Sequence, residues 1–374
     1  MKKGKVLVAM SGGVDSSVVA ALLVHQGYDV TGAYMKQWSD TKDISGLCEW
    51  KKDRRDAMRV AAHLGIPLLT LDFEKEYKEW VMGYMFAEYE AGRTPNPDVM
   101  CNKFIKFDAW LKKILEMGFD AMATGHYARI SRSTNHVTRN TSQEEVIRDM
   151  CYVLRAAKDE DKDQTYFLHQ LTQEQLSRTM FPLGEYTKTE VRELARKFGL
   201  PTAERAESMG ICFVGEMPMK DFLQQKISKK PGNIVTEDGT VVGEHEGLSF
   251  YTIGQRHVGQ LTNSKTQDTN RSAMYVLEKR FENNELVVGN EESALLYKKE
   301  IRVTNVHFVS GQAPEFPLHC QVRLRHRQSL QNAECRMQNG KLQLDFEIKQ
   351  RAVTPGQFAV LYKEGVCLGG GVIA

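Results

Sequence analysis

The chain has little net charge, because its 374 residues carry 50 Lys and Arg against 48 Asp and Glu, a formal balance of +2. Overall charge therefore cannot hold a nucleic acid, and any such binding depends on local basic patches. No apolar stretch approaches the length of a membrane span, so we expect no membrane partner. Hydrophobic residues make up 41% and charged residues 26% of the chain, as in ordinary soluble proteins of two or three domains.

Cysteine is sparse and poorly spaced for disulfides or zinc. The seven cysteines form no CxxC pair, so their spacing predicts neither a disulfide scaffold nor a zinc site. The opening residues Met1-Lys2-Lys3-Gly4 lead directly into an apolar run, and we expect no signal or transit peptide. These features predict a protein of the reducing cytoplasm.

The first segment that indicates chemistry is Ser11-Gly12-Gly13-Val14-Asp15-Ser16-Ser17, which follows the apolar run 5–10. A strand that enters a glycine turn and then a helix presents N–H groups to one concavity, which suits a phosphate or pyrophosphate. The serine hydroxyls add donors, and Asp15 either caps the helix or holds a magnesium ion. No Gly-Lys-Ser/Thr follows, so the Walker pattern is absent. The run resembles the PP-loop of ATP pyrophosphatases, which split ATP between its α and β phosphates; the alternative is an ordinary βα turn.

Strands and helices alternate through the first half of the chain. This alternation predicts a doubly wound, mostly parallel sheet with ligands at the carboxyl ends of its strands. The predicted strands are Val6–Met10, Val30–Met35, Leu68–Phe73 and Ala121–Thr124, and the predicted helices are Ser17–Gln26, Lys51–Leu64, Lys75–Glu90, Phe107–Met117, Thr172–Thr179 and Lys188–Phe198.

From about Gly232 the pattern changes to short alternating strands. About six of them lie between Lys299 and Ala374, which predicts a small antiparallel barrel or sandwich. Before this region, Ser131–Asp149 is almost wholly polar between two apolar runs, and we predict an exposed, mobile loop there. The hairpin signals are Asp238-Gly239, Asn283-Asn284, Asn339-Gly340 and Glu364-Gly365.

Two cysteines lie in loop-like segments. Cys101 ends the proline-containing segment 93–102, and Cys212 lies between glycines in the segment 207–216. Taken singly, each is more simply interpreted as a buried structural residue than as a reactive thiol. Together with an ATP-activating loop they satisfy what thiolation requires, because one thiol can carry sulfur as a persulfide while the other attacks or resolves it.

The order of several motifs resembles the tRNA 2-thiouridylase family over essentially the whole chain. These motifs are SGGVDSS, AGRTPNPDVMCN, TGHYAR, DKDQTYFL, ESMGICFVGE, YTIGQRHVGQ, RLRHRQ and TPGQFAVLY…CLGGGVI. The resemblance implies ATP-dependent 2-thiolation of the wobble uridine of tRNA (those for Lys, Glu and Gln), by adenylation of the uridine 2-oxygen and transfer of persulfide sulfur. The products would be 2-thiouridine, AMP and pyrophosphate. The implied requirements are ATP, Mg²⁺, a persulfide sulfur donor, tRNA and either a sulfur-relay protein or a cysteine desulfurase, with the protein acting as a monomer.

The resemblance also implies a fold class and domain limits. It implies an α/β protein with an N-terminal doubly wound PP-loop domain of the adenine nucleotide α-hydrolase type over residues 1–205. A small, mainly β central domain over residues 206–297 carries the second cysteine at its start. A C-terminal antiparallel β-barrel that binds tRNA covers residues 298–374.

Roles for single residues follow from the same resemblance. Cys101 matches the nucleophile and Cys212 the persulfide carrier, with a disulfide between them after turnover. Asp98 resembles the general acid/base, although a turn-capping aspartate is the simpler alternative. Residues that match ATP contacts are Ala9, Met10, Ser11, Gly12, Gly13, Val14, Asp15, Ser16, Met35 and Gly125.

Contacts with tRNA are implied on several elements of the chain. Between Cys320 and Arg351 there are seven Lys/Arg against three acids, a local balance of +4, which suits phosphate contacts but is also typical of solvated surface. The implied contacts are Asn96, Pro97 and Asp98 to the target base, and His126, Lys162, Asp163, Gln164, Arg325, His326 and Gln357 to tRNA.

Some features leave alternatives open. Glu207-Ser208 stands where bacterial members commonly have Asp-Ser, a conservative departure, and the polar stretch Ser131–Asp149 is longer than usual. An iron–sulfur cluster is disfavoured, because two catalytic cysteines cannot supply its ligands. The alternatives to thiolation are a PP-loop ligase that adenylates a small molecule and a non-catalytic RNA-binding or redox-sensing protein. Cys48, Cys151, Cys320, Cys335 and Cys367 match no catalytic position and are interpreted as structural.

Overall fold

The N-terminal half is built on a five-stranded parallel sheet. A computed structural model describes residues 3–37, 49–139, 146–206, 219–256, 258 and 273–374. The spatial order of the strands is β3-β2-β1-β4-β7. They are β1 (Lys3–Ala9), β2 (Tyr28–Lys36), β3 (Leu68–Asp72), β4 (Ala121–Ala123) and β7 (Thr179–Met180). The first four confirm the predicted strands, whereas β7 is too short to leave a pattern in the sequence.

Alternate side chains of β1 enter two separate cores. Val6 and Val8 pack against the helices on one face, and Leu7 packs against those on the other. Helices therefore cover both faces, as a doubly wound sheet requires. One face holds α1 (Val14–His25), α2 (Glu49–Leu64) and α9 (Lys188–Lys197); the other holds α3 (Glu74–Glu76), α4 (Gly83–Glu90), α5 (Pro97–Met100) and α6 (Leu111–Glu116).

The second of these faces is partly π-helical. A π segment, Tyr77–Met82, joins α3 to α4, and another, Cys101–Trp110, joins α5 to α6. The predicted helix Phe107–Met117 therefore starts ten residues earlier, at Pro97. Cys101 consequently lies within a continuous helical segment rather than at the end of a loop.

Short elements follow the sheet. They are α7 (Thr165–Leu168), α8 (Gln173–Ser177) and α10 (Met219–Gln224). The helix predicted over Thr172–Thr179 is confirmed in α8, whose N-cap Thr172 forms a capping box with Gln175. The capping box of Thr187 and Glu190 similarly fixes the start of α9.

The strand order reverses its direction at β1. From β1 the sheet grows through β2 to β3 on one side and through β4 to β7 on the other. Between β1 and β4 the connections therefore diverge and leave a crevice at the carboxyl ends of the strands, which is where open α/β sheets bind ligands. The glycine-serine run follows β1, and Gly125 follows β4.

The second half of the chain is mainly β, as predicted. A four-stranded central sheet has the order β10-β11-β8-β9, and six further strands close into a barrel through the β12–β17 pairing. The central strands are β8 (Gly232–Val235), β9 (Val241–His245), β10 (Tyr275–Arg280) and β11 (Glu285–Gly289). The barrel strands are β12 (Tyr297–Phe308), β13 (Leu318–Arg323), β14 (Gln331–Gln338), β15 (Lys341–Arg351), β16 (Phe358–Lys363) and β17 (Val366–Ile373).

The four hairpin signals are confirmed. Asn339-Gly340 connects the antiparallel strands β14 and β15, with φ of 48° at Asn339 and 72° at Gly340. Glu364-Gly365 connects β16 and β17, with φ of 51° at Glu364 and 72° at Gly365. Two consecutive positive φ angles match the twist of the flanking strands, and Gly adopts such an angle without strain. Asn284 and Gly239 likewise have positive φ between paired strands.

The loop predicted over Ser131–Asp149 is wrong for residues 131–139 and 146–149, and its centre, residues 140–145, lies outside the described residues. In its place β5 (Arg129–Arg139) and β6 (Val146–Arg155) form an antiparallel hairpin. Backbone pairing satisfies the N–H and C=O groups of such strands whatever the polarity of the side chains, so a polar sequence hides the strand pattern. The hairpin extends the barrel sheet, because Arg155 of β6 pairs with Val366 of β17.

Among the residues described, no helix combines the length and apolarity needed to cross a membrane.

Candidate active site

The turn after β1 is held by its own serines. The backbone N–H of Ser11 donates to Ser16 Oγ at 3.2 Å, and that of Gly13 donates to Ser11 Oγ at 3.3 Å. Ser17 Oγ in turn donates to the carbonyl of Gly13 at 2.7 Å. Gly12 has a φ of +78°, and an added Cβ would lie 2.3 Å from the carbonyl oxygen of Asp53. Glycine is therefore required at this position for both conformation and space.

Asp15 does not cap α1, so that alternative is wrong. The N-cap is Gly13, which makes no side-chain capping bond. Instead, the Asp15 carboxylate accepts hydrogen bonds from Lys188 Nζ at 2.7 and 2.8 Å and from Tyr127 Oη at 3.0 Å. Lys188 is the first residue of α9 and only 14% exposed at its side chain, so it places a cation beside the glycine-serine turn.

Gly125 lies against the N-terminus of α1. A Cβ added there would be 3.1 Å from both Asp15 Cβ and the backbone nitrogen of Ser16. The backbone after β4 therefore closes one side of the crevice at the glycine-serine turn. On the other side Met35, near the end of β2, is buried and pairs in register with Leu71. The structure thus brings the predicted ATP contacts together at one edge of the sheet. Ala9 ends β1 there, Met10 follows it, and Val14 begins α1.

Arg205 anchors the turn from a distant part of the chain. One of its guanidinium nitrogens donates to the Gly12 carbonyl and to Asp56 Oδ2, each at 2.8 Å, and the other contacts Asp53. This arrangement fixes the start of α2 over the turn. Cys212 and the departure at Glu207-Ser208, and with them the predicted Cys101–Cys212 disulfide, lie outside the described residues, as does Cys48.

The segment from Asn96 to Cys101 forms a second cluster. Asn96 is the N-cap of α5, where its Oδ1 accepts the backbone N–H of Val99 at 3.3 Å, and Pro97 occupies the first turn. Asp98 follows in that turn, and burial raises the pKa of its carboxyl group, an effect that the charge of Lys106 partly offsets. Cys101 is 5% exposed and starts the π segment. Its thiol is therefore within the protein.

His126 joins the two clusters. It follows Gly125 directly, and its Nδ1 lies 2.7 Å from Thr124 Oγ1. Its ring packs 5.8 Å from that of Phe107 in the π segment that begins at Cys101. Burial, followed by the charge of Lys106, lowers the pKa of His126 well below its ordinary value. Lys106 therefore acts electrostatically on both Asp98 and His126, which places these three side chains in one electrostatic environment.

The implied tRNA loop 162–164 is more internal than the resemblance suggests. Asp163 is 2% exposed, accepts from Thr165 Oγ1 at 2.7 Å, and forms an ion pair with Arg323 Nη1 at 3.1 Å. Gln164 Oε1 accepts the backbone N–H of Tyr127 at 2.9 Å. These two side chains are thus used within the protein, whereas Lys162 lines a cleft with Arg323 and Arg327.

The implied contacts on the barrel lie in the same region. The ring of His326 packs 4.5 Å from that of Phe167, and burial lowers its pKa to about 4. Arg325 donates to Thr354 Oγ1 at 3.1 Å. Since Arg323 pairs with Asp163, the two implied tRNA segments adjoin one another. The structure does not bring Gln357 to them; it lies against Asn96, with Nδ2 of Asn96 3.5 Å from Gln357 Oε1.

Several of these residues left no functional signal in the sequence. The Thr187-to-Glu190 capping pattern could have located the start of α9, but not the approach of Lys188 to a loop 173 positions away. Lys106 and Arg205 are similarly brought in by the fold alone. Within the described ranges, no cluster of three or more His, Cys, Asp or Glu residues could hold a metal ion. The remaining described cysteines, Cys151, Cys320, Cys335 and Cys367, are free and buried.

Three family models match consecutive parts of the chain. One described as a tRNA methyl transferase HUP domain matches residues 4–216, and one described as a tRNA methyl transferase PRC-barrel domain matches residues 220–290. One described as an aminomethyltransferase β-barrel domain matches residues 298–373. The fold and the loop after β1 thus define a HUP-domain protein with two appended β domains.

Curated relatives narrow this class. The chain is 45% identical over 372 residues to the tRNA-specific 2-thiouridylase MnmA of Streptococcus agalactiae serotype Ia, covering 99% of this chain and 95% of that protein. The same values hold for the serotype III protein of the same name. The chain therefore belongs to the tRNA-specific 2-thiouridylase family, which confirms the resemblance read from its motifs. A solved 4-thiouridine synthetase–RNA complex with bound ATP is 18% identical, with a TM-score of 0.36 over 59% of this chain and 50% of that one, a similarity too low to carry an argument.

Proposed function

We propose that this protein is an ATP-dependent sulfurtransferase that converts the wobble uridine of tRNA to 2-thiouridine. The observation that carries the proposal is the junction at Gly125-His126. On one side Gly125 packs so closely against the glycine-serine turn that an added Cβ would lie 3.1 Å from Ser16 N. On the other side, the ring of His126 packs against that of Phe107. Phe107 belongs to the continuous helical segment that has Asn96 as its N-cap and contains Cys101. An adenylating centre and a base-binding centre thus share one backbone segment.

ATP binds with its phosphates at the N-terminus of α1. The backbone N–H groups of the turn and the helix dipole favour the negative phosphates there. Lys188 supplies the cation that the turn itself lacks, since no lysine follows it in the sequence. Asp15 offers one carboxylate for Mg²⁺, which proteins commonly bind through one or two carboxylates together with substrate phosphates. To bind Mg²⁺, the Asp15 carboxylate would have to give up the hydrogen bonds that it accepts from Lys188.

The first chemical step is adenylation of the base. The 2-oxygen of uridine attacks the α-phosphorus of ATP, and the bond to the β-phosphate breaks, releasing pyrophosphate. Asn96, Pro97 and Asp98 hold the base, and the Asp98 carboxylate takes up the proton that nitrogen 3 of the base loses as its 2-oxygen attacks. Burial raises the pKa of the Asp98 carboxyl group, which moves it toward neutral pH, where general acid–base catalysis is most effective.

The second step delivers sulfur. The terminal sulfur of a persulfide on Cys212 attacks carbon 2 of the base, and AMP leaves with the oxygen. The thiolate of Cys101 then attacks the Cys212 sulfur, breaking its bond to the transferred sulfur and forming a Cys101–Cys212 disulfide. The base is released as 2-thiouridine, and a dithiol reductant reopens the disulfide. A sulfur-relay protein or a cysteine desulfurase recharges Cys212.

The cleft between loop 160–162 and the barrel is the proposed tRNA surface. Lys162 and Arg327 line it, and these two cationic side chains suit the phosphates of a folded RNA. Glu160 and Asp161 line the same cleft, and Arg323 there is already paired with Asp163, so the phosphate contacts rest on Lys162 and Arg327. The Arg323–Asp163 ion pair, at 3.1 Å and largely buried, holds the two walls together. Asp163 therefore supports the surface, and Lys162 contacts the RNA.

Mass spectrometry of nucleosides tests the reaction. Unmodified tRNA is incubated with the protein, Mg-ATP and a persulfide donor, beside reactions that contain Cys212→Ser or omit ATP. We expect 2-thiouridine in the complete reaction and none in either control. Full thiolation by Cys101→Ser or Cys212→Ser would refute the sulfur-transfer step. Pyrophosphate release without tRNA, and without thiolation, would identify a ligase for a small molecule instead.

A further inference from the structure

The segment just before the base-binding residues is held by the C-terminal barrel. Residues 91–96 connect α4 to α5 and are neither helix nor strand. The backbone N–H of Thr94 donates to the carbonyl of Pro355 at 2.9 Å. Gln357 Nε2 donates to the carbonyls of Thr94 and Pro95 at 2.8 and 3.0 Å. One side-chain amide thus holds two consecutive carbonyls of a loop more than 260 positions away.

The barrel approaches this loop so closely that it needs a glycine. Gly356 has a φ of +90°, and an added Cβ would lie 3.0 Å from Arg93 Cβ and from the nitrogen and oxygen of Thr94. A side chain at position 356 would push the two backbones apart. The contact is therefore a close backbone–backbone fit, not a loose surface encounter.

The central domain holds the same loop from another side. Lys279 Nζ donates to the Gly92 carbonyl at 2.9 Å, and Thr94 Oγ1 lies 3.2 Å from Thr252 Oγ1. The ring of Phe281 fills the space of a Cβ at Gly92, whose φ is +74°. Residues 92–96 are consequently fixed by both appended domains.

We infer that Gln357 is a positioning residue that sets the base-binding segment through these two carbonyl bonds, a role distinct from the tRNA contact that the family resemblance implies for it. Its Oε1 faces Asn96 Nδ2, and Asn96 caps the helix that carries Asp98 and leads into Cys101. A shift of the Thr94–Pro95 backbone would therefore shift the acid/base candidate and the nucleophile together. Small displacements of reacting groups cost large factors in rate. This inference rests on the proposed thiolation only for its kinetic consequence.

The test is Gln357→Glu, which keeps the shape but replaces the donor by a carboxylate facing two carbonyls. We expect kcat for thiolation at saturating tRNA, where a weakened RNA contact no longer contributes, to fall about tenfold or more at pH 8. The deficit relative to wild type should shrink at pH 6, because a protonated carboxyl group can donate again. This recovery would trace the loss to the donor at position 357, since protonating one side chain would not restore a general folding defect.

Hydrogen exchange gives a readout that does not depend on catalysis. Amides in the peptide 91–100 should exchange faster in Gln357→Glu than in the wild type, because the Thr94 N–H bond to Pro355 loosens with its neighbours. Gln343→Glu is the matched control, since Gln343 bonds Glu300 on an exposed part of the barrel, and it should change neither readout. Unchanged exchange of this peptide, with kcat retained at saturating tRNA and only the tRNA Kd weakened, would overturn the inference and leave Gln357 as an RNA contact alone. Absence of thiolation in the wild type would refute the proposed function, and the exchange result would still decide the role of Gln357.

Discussion

The two loops of the candidate active site depend to different degrees on distant parts of the chain. The glycine-serine turn is held mainly by bonds among Ser11, Gly13, Ser16 and Ser17, at most five positions apart, with one distant bond from Arg205 to the Gly12 carbonyl. The loop 91–96 has local bonds at its start, such as that from the Arg93 N–H to the Glu88 carbonyl, but its other bonds come from Thr252, Lys279 and the stretch 355–357, which lie between 158 and 263 positions away.

Because of this difference, the loop proposed to bind ATP and the loop that positions the base depend on different parts of the chain. A turn held mainly by its own serines depends little on the two β domains, since Arg205 also precedes both of them in the chain. The loop 91–96 depends on contacts with both of them. The base-binding residues are therefore expected to be the more sensitive of the two loops to changes far along the chain.

The largest expected effect follows from adding one methyl group to the glycine-serine turn. Gly12→Ala forces an L-residue into a φ of +78° and places its Cβ 2.3 Å from the Asp53 carbonyl oxygen. The conformation alone costs about 1–2 kcal/mol, and the clash with backbone adds to it. We expect a lowered unfolding temperature and an ATP KM raised by at least about tenfold, measured by calorimetry and pyrophosphate release.

Gly27→Ala is the control for Gly12→Ala. Gly27 has a similar φ of +86° but nothing within 4 Å of an added Cβ. It should lose only the conformational energy, with ATP KM unchanged. If both variants raised KM equally, the close fit of Gly12 to Asp53 would have no role in binding ATP.

Asp98→Asn should separate chemistry from stability. Loss of a general acid/base lowers kcat for thiolation by about 10²–10⁴-fold, while ATP KM stays unchanged because the phosphate turn is elsewhere. Burial raises the folded-state pKa of Asp98, so ionisation costs stability once the pH rises above the ordinary pKa of the carboxyl group. The variant should therefore unfold no earlier than wild type at pH 7, and lose this relative advantage as the pH falls toward 4. Retained kcat would leave Asp98 as a turn-capping residue.

A smaller effect is expected for the cation that the fold brings to the turn. Lys188→Ala removes the ammonium beside Asp15, and we expect ATP KM to rise about tenfold, in line with about 1.5 kcal/mol for a charge-assisted bond. Lys188→Arg should recover part of this loss. The exposed Lys158 contacts Glu190 of the same helix at 2.8 Å, so Lys158→Ala is the control and should bind ATP normally. Equal effects of the two alanine variants would assign the role to α9 rather than to Lys188.

The smallest effect on activity is expected at Lys279, which bonds the loop 91–96 at Gly92. Its replacement is expected to change the pH dependence of the unfolding temperature. Burial lowers the pKa of Lys279 to about 8. Between about pH 8 and the ordinary lysine pKa the folded protein loses this proton before the unfolded chain does, so stability rises with pH over that window. The unfolding temperature of wild type relative to Lys279→Met should therefore increase from pH 7 to pH 10. The exposed Lys298, replaced by Met, should show no such trend. If the unfolding temperatures of wild type and Lys279→Met changed in parallel between pH 7 and pH 10, burial would not lower the pKa of the Lys279 ammonium group beside Gly92.

Regular elements with strong local signals could be predicted from the sequence. Apolar runs located β1 to β4, helical patterns located α8 and α9, and Asn-Gly and Glu-Gly pairs located hairpins. The polar hairpin β5–β6 could not be predicted, because its stability depends on backbone pairing that leaves no hydrophobic alternation. The π segment that places Cys101 within a helix likewise has no sequence signal of its own.

The sequence by itself determined the glycine-serine turn, the succession of an α/β domain and two β domains, and the family, because each depends on residues close together in the chain. Tertiary structure alone decided that Lys188 pairs with Asp15, that Arg205 anchors Gly12, and that Gln357 holds the loop before Asn96. These contacts join residues more than 170 positions apart. Only the packing of whole domains brings such residues within hydrogen-bonding distance, and no local pattern records which of them will meet.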